Sequence, residues 1–178
     1  MGERIIGVFK LDPQNFEAIE HDEGATGQAA LIVLMVAILG GIGSAIGTSY
    51  MDGGSAIGAF FSTVISSFAG WVIWSFLTYF IGTRLFGGEA DMGEMLRVIG
   101  FAYAPQMLGV IPCAGSLVGA LWALAAAFVG IRQGLDLSNG KTFLTIIVGF
   151  LVYVVVAIVI GMLFSVGSGV GSAFDFTT

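Results

Sequence analysis

Five apolar runs, separated by short polar stretches, set the pattern of this chain. They cover residues 29–47, 57–83, 96–111, 114–131 and 142–164. A helix crosses the hydrocarbon core of a bilayer with roughly 20 apolar residues at about 1.5 Å each. The first and fifth runs fit that length, the second is long enough to tilt, and the third and fourth are short. None shows the period-two alternation of a barrel strand, and all are rich in Gly and Ala. The expectation is an all-α, polytopic membrane bundle of five transmembrane helices over 29–164.

Residues 1–28 have a different pattern. Ile5, Val8 and Phe9 share one face of a short helix, and Phe16 and Ile19 share a face of a second. Asp12 followed by Pro13 is a helix start, because the carboxylate accepts from free backbone amides and proline at the first helical position loses no needed donor. The expectation is a cytoplasmic leader of two amphipathic helices lying along the membrane surface. At the other end, the small polar residues of 165–178 predict a flexible tail outside the cell.

Basic residues orient the pattern. Arg4, Lys10, Arg84, Arg97, Arg132 and Lys141 fall in the leader or in the stretches at 84–95 and 132–141, or at their edges, which five crossings place on one side. The positive-inside rule puts that side in the cytoplasm, with the amino terminus inside and the carboxyl terminus outside a cell inner membrane. Charge does not distinguish a crossing hairpin over 96–131 from a re-entrant one, since both have cytoplasmic feet.

Composition narrows the function classes. The chain is 57% hydrophobic and 10% charged, against roughly a quarter charged for a soluble domain, so the lipid bilayer is its main solvent. A net charge of −6 leaves no basic patch for nucleic acid. One cysteine, Cys113, and one histidine, His21, exclude an intrachain disulfide and two-histidine metal motifs. Glu20, His21, Asp22 and Glu23 are adjacent and do not converge on one ion, so no cofactor or metal is expected. No Asp, Glu, Lys or His lies inside a run, which argues against ion-coupled transport. No catalytic constellation is visible.

The candidate residues lie in the hairpin 96–131 and its feet. Pro105 removes a backbone donor and clashes with the Phe101 carbonyl, which predicts a kink flanked by Tyr103 and Gln106. Two readings stand: a polar pocket or hinge at membrane depth, or a kink satisfied by its neighbours. Pro112 and Cys113 lie in the turn at the hairpin tip. At the feet, Arg97, Arg132 and Asp136 belong to a mixed-charge face with Arg84, Glu89, Asp91, Glu94 and Lys141, read either as a solvated rim or as a docking face. The glycine pairs 43/47, 115/119 and 130/134 have the four-residue spacing that lets helix backbones approach. Packing within the bundle is favoured over dimerisation. Ser62, Thr63, Ser66, Ser67, Ser75 and Thr78 form a polar seam or bond back to their own helix.

LRVIGFAYAPQMLGVIP, followed by GSLVGALWALAAAFVGIRQGLDLSNGK, resembles the Yip domain family of Ypt/Rab GTPase-interacting membrane proteins. Tyr103 with Pro105, Pro112, and the Gly130-Ile131-Arg132 to Leu135-Asp136 end of the fourth run carry the resemblance. It implies a polytopic bundle with a cytoplasmic amino terminus and no catalytic residues. The long amino-terminal region and DLYGP-type motif of the eukaryotic members are missing here, which argues against GTPase binding and points to a short prokaryotic type. The expected role is a membrane scaffold or interaction protein, as a homo-oligomer or with other membrane-protein subunits. The alternatives are an accessory subunit of a larger inner-membrane complex and, third, a small-solute transporter or channel.

Overall fold

A computed structural model describes residues 1–51, 54–111 and 114–173. All regular structure among them is helical: α1 Gly2–Phe9, α2 Pro13–Glu20, α3 Ala25–Met51, α4 Ala56–Phe86, α5 Met92–Ala102, a 3-10 segment Ala104–Val110, α6 Gly115–Gly134 and α7 Asn139–Ala173. Four helical stretches are long and apolar enough to cross a membrane: Ala25–Tyr50, Ala56–Phe86, Gly115–Gly134 and Asn139–Val156.

The third run departs from the expected single span. Pro105 ends α5 at Ala102, and the chain continues as a 3-10 segment with Tyr103 as its amino-terminal cap. The proline breaks the helix outright because it lacks the N–H that the next turn needs. At about 1.5 Å per α and about 2.0 Å per 3-10 residue, the two pieces together still extend roughly 30 Å. They run antiparallel to α6 along its length: Gly134 and Gly130 meet Val98, Gly119 meets the Pro105 carbonyl, and Gly115 meets the Leu108 carbonyl. Four helices of membrane-crossing length are therefore found among the described residues where five were expected, and the third run is a broken pair of shorter pieces packed along α6.

Each helix starts or stops for a local reason. Asp12 caps α2 by accepting from the Gln14 amide, as its place before Pro13 predicts. Ser55 caps α4, and Gly87 ends it at a left-handed φ of 69° that other residues adopt only with strain. α5 begins four residues before the apolar run, on a capping box between Asp91 and Glu94. α7 continues as helix past Phe164 to Ala173, where a flexible tail is expected.

The apolar face expected to lie along the membrane surface packs into the bundle. Val8, Phe16 and Ile19 are fully buried in one core with Met95, Val98 and Phe101 of α5, Ile32 of α3, and Ile131 of α6. A side chain at Gly130 would stand 3.0 Å from the Phe16 ring, so this glycine makes room for the leader. Trp122 Nε1 donates to the Phe9 carbonyl at 2.9 Å. Arg4, expected on a mobile leader, pairs with Asp22 at 2.6 Å and ties α1 to the end of α2. In lipid the apolar stripe of a polar leader has two places to go, and the glycine groove of α6 supplies the tighter fit.

Candidate functional site

Two places collect polar groups: a cavity beside the break in the third pass, and the end of the bundle where the basic residues gather.

The cavity has a volume of about 380 Å³. Trp74 of α4, Ile99 and Ala102 of α5, Tyr103 and Gln106 at the break, Ala120, Ala123, Leu124 and Ala127 of α6, and Phe150 and Tyr153 of α7 line it. Its shape follows from the sequence. Pro105 pulls the chain off the helical path, and Ala120, Ala123 and Ala127 on the facing helix do not fill the gap. Tyr103 is half-buried, while Gln106, Ala120, Leu124 and Phe150 are exposed, so the mouth opens between α6 and α7. The side chains of Tyr103, Gln106 and Tyr153 form no hydrogen bond among the described residues. A polar group without a partner is costly at membrane depth. Pro105 itself is buried, and Pro112 lies outside the described residues, as does Cys113.

The basic end is built from three segments. Lys141 Nζ donates to the Phe86 carbonyl at 2.9 Å, and the Glu89 amide to the Leu135 carbonyl at 3.1 Å. Gln133 Nε2 reaches Glu17 at 3.2 Å, and Arg97 Nε donates to the Glu20 carbonyl at 2.8 Å. The leader and the stretches at 84–95 and 132–141 thus share one end. Within the mixed-charge face, Arg97 and Arg132 pair with neutral oxygens, whereas Arg4 of the leader pairs with Asp22. Arg97 is buried against a main-chain carbonyl, and Arg132 holds the Gln133 side chain at 2.8 Å and Asn139 at 3.2 Å. Asp91 and Glu94 are occupied by their capping box, and Asp136 is exposed at a left-handed φ of 50°. Aspartate tolerates that region through its short polar side chain.

Glu20 is the unusual group here. It is 4% exposed, its Oε2 has no partner, and its Oε1 stands 3.9 Å from His21 Nδ1. Burial, then the neighbouring Glu17, pushes its carboxyl up to about 7; His21 works against this, and Glu94 and Asp136 add to it. The hydrogen bond from Arg4 holds Asp22 below its ordinary value, and the bond to the Glu17 carbonyl raises His21.

Three of the six hydroxyls singled out in the second run bond back to their own helix. Thr63 donates to Ala59, Ser67 to Thr63 and Thr78 to Trp74, each four residues back; Ser75 Oγ is buried without a partner. The α6 glycines pack within the bundle, whereas Gly43 and Gly47 of α3 have no neighbour within 4 Å.

The model of the Yip1 domain matches residues 6–165, nearly the whole chain. The chain belongs to the Yip1 domain family. No curated protein and no solved structure matches it. The family match includes α1 and α2 along with the passes, so the docked leader is part of the Yip1 domain. With four helices of membrane-crossing length, this Yip1 domain chain is a multi-pass membrane protein.

Sequence reasoning singled out Tyr103, Pro105, Gln106 and Arg97 but not the residues that surround them. Tyr153 and Trp74 read as ordinary aromatic residues of apolar runs, and a lone tyrosine in FLVYVVV was the available signal. Glu17 was passed over because attention fell on the adjacent residues 20–23. A spacing of three and four brings Glu17, Glu20 and His21 together instead.

Proposed function

We propose that this Yip1 domain protein is a non-catalytic membrane interaction protein that binds a transmembrane helix of a partner at the cavity beside Pro105. One observation carries this reading: three hydrogen-bonding side chains, Tyr103, Gln106 and Tyr153, line an open apolar cavity without partners among the described residues. A helix crossing the mouth between α6 and α7 supplies polar atoms to them and covers Leu124 and Phe150. Transport is the weaker reading, since no charged residue lines the cavity. The basic end faces the cytoplasm by the positive-inside rule, with the amino terminus inside and the carboxyl terminus outside.

Native mass measurement of the detergent-extracted protein tests this. A defined complex is expected, lost in Gln106→Leu and in Tyr153→Phe with Gln106→Leu while thermal stability is kept. A homo-oligomer identifies the partner as a second copy, and a second mass identifies a separate subunit. A monomer in both wild type and variants contradicts the reading. For orientation, an impermeant maleimide on intact cells is expected to label Cys113; labelling only from the cytoplasmic face of inverted vesicles contradicts it.

A further inference from the structure

The carboxyl end of α2 carries a group that the interaction reading does not use. Glu17, Glu20 and His21 each offer a ligand atom, and these atoms lie within 4.8 Å of one another. Side chains three and four residues apart share a helix face, so the set comes from a single element. Such a cluster alone is commonplace at a protein surface. Here a second, independent observation stands beside it: Glu20 is 96% buried, being 4% exposed, and its Oε2 finds no hydrogen-bond donor.

The nearest candidate donor does not serve it. Arg97 gives its Nε–H to the Glu20 main-chain carbonyl and leaves the carboxylate alone. Arg4 bonds Asp22 through Nη2 while its Nη1 has no partner, and Gln133 bonds one oxygen of Glu17. His21 Nδ1 stands 3.9 Å from Oε1 and gives its own hydrogen bond to the Glu17 main-chain carbonyl, so Oε2 is left without a donor. A buried carboxylate oxygen without a partner is costly, and the neighbouring Glu17 adds like charge.

We propose that Glu17, Glu20 and His21 bind a divalent transition-metal ion of the zinc type. The donor set decides the class. An imidazole nitrogen with two carboxylates suits zinc, whereas calcium and magnesium favour all-oxygen shells. Zinc takes such ligands at about 2.0–2.2 Å; His21 Nδ1 must give up its proton and its 3.0 Å bond to the Glu17 carbonyl, and rotation of the exposed His21 and half-buried Glu17 side chains then closes the present separation. Three protein ligands leave a fourth position for water. The Glu17 carboxylate keeps its bond to Gln133 through the other oxygen, so the ion also fastens the leader to α6. Metal binding to the folded state stabilises that state by mass action.

The test uses the full-length protein in detergent, stripped with a chelator, in a Cys113→Ser background so that the single thiol takes no part. Calorimetric titration with Zn²⁺ alone is expected to give a single ion per chain and a raised Tm. Glu20→Gln keeps the shape and removes the ligand, and His21→Ala removes the nitrogen; each is expected to weaken binding by about tenfold or more. Leader protection from hydrogen exchange, measured on the same variants, confirms that they stay folded. Ca²⁺ and Mg²⁺ are expected to leave the Tm unchanged. Absence of saturable Zn²⁺ binding, or binding that survives both substitutions, overturns the proposal. So does a Glu20→Gln variant with higher stability and unaltered Zn²⁺ affinity, which makes a proton the natural occupant.

Discussion

The two ends of the bundle are held together in different ways. At the basic end, leader, α5, α6 and the start of α7 interlock: glycines receive side chains, and arginine, lysine, tryptophan and glutamine side chains reach across to oxygens of other elements. At the far end, α3 and α4 continue as a hairpin with Ile46, Tyr50, Ile57, Phe61 and Ile65 exposed and nothing near Gly43 or Gly47. Hydropathy does not separate the two ends. Lipid solvates the far end as well as protein does, so apolar surface alone gives little drive to pack it. Close backbone approach and buried polar ties do; the first also occurs away from the basic end, where Gly115 meets the Leu108 carbonyl, whereas the ties between elements gather at the basic end.

The largest expected difference comes from phenylalanine truncation. Phe16→Ala opens a cavity in the shared core and is expected to lower stability by about 3–4 kcal/mol, in thermal or denaturant unfolding of the detergent-solubilised protein. Phe61→Ala, at the far end, is expected to stay within about 0.5 kcal/mol. Equal losses at the two sites break the comparison.

Next comes the glycine pair. Gly130→Val places methyls against the Phe16 ring and is expected to cost about 1–3 kcal/mol, whereas Gly43→Val meets open space and is expected to be neutral. The cost at Gly130 should shrink in a Phe16→Ala background, since the two share one contact. An unchanged cost in the double variant means that the groove accommodates something other than the leader.

The arginines sharpen the picture further. Arg97→Leu leaves the buried Glu20 carbonyl without its donor and is expected to cost about 1–3 kcal/mol. Arg4→Leu and Arg132→Leu break part-exposed contacts and are expected to cost about 1 kcal/mol or less. A pattern in which Arg132 outweighs Arg97 contradicts burial as the deciding factor.

Acid response gives the smallest effect. The Glu20 carboxyl is raised in the folded state to about 7 from its ordinary 4.5. The folded metal-free protein therefore holds this proton more tightly than the unfolded chain does. The resulting stability is complete below about pH 4.5, declines as pH rises toward 7, and stays lost above it. Glu20→Gln removes that slope and, at pH 8, is expected to stabilise the metal-free protein by on the order of 1 kcal/mol. A variant with the same pH slope as the parent places the titrating group elsewhere.

Much of this was legible beforehand, and the misses have physical causes. Long apolar runs without alternation determine helices, and the placement of six basic residues predicted which segments share an end. The Asp12-Pro13 start and the Pro105 break both follow from backbone chemistry local to the residue. The docking of the leader was not legible because an amphipathic stripe reads the same whether its partner is lipid or protein; the contact that receives Phe16 lies at Gly130, more than a hundred residues away. Arg97 reads as part of a mixed-charge face because charge is visible in a sequence, while a main-chain carbonyl held out by the end of α2 is not. Tyr153 joins the cavity only through the packing of α7 beside α4, which no local pattern encodes.

The central claim is that the leader is an integral part of the bundle. Hydrogen exchange of the protein in lipid nanodiscs, followed over residues 13–20 and 92–102, tests it most directly. Docking predicts that the α2 amides are protected to a degree similar to α5, and that Gly130→Val releases α2 first. Exchange of α2 at the rate of a free helix, with α5 still protected, would contradict the account and return the leader to the membrane surface.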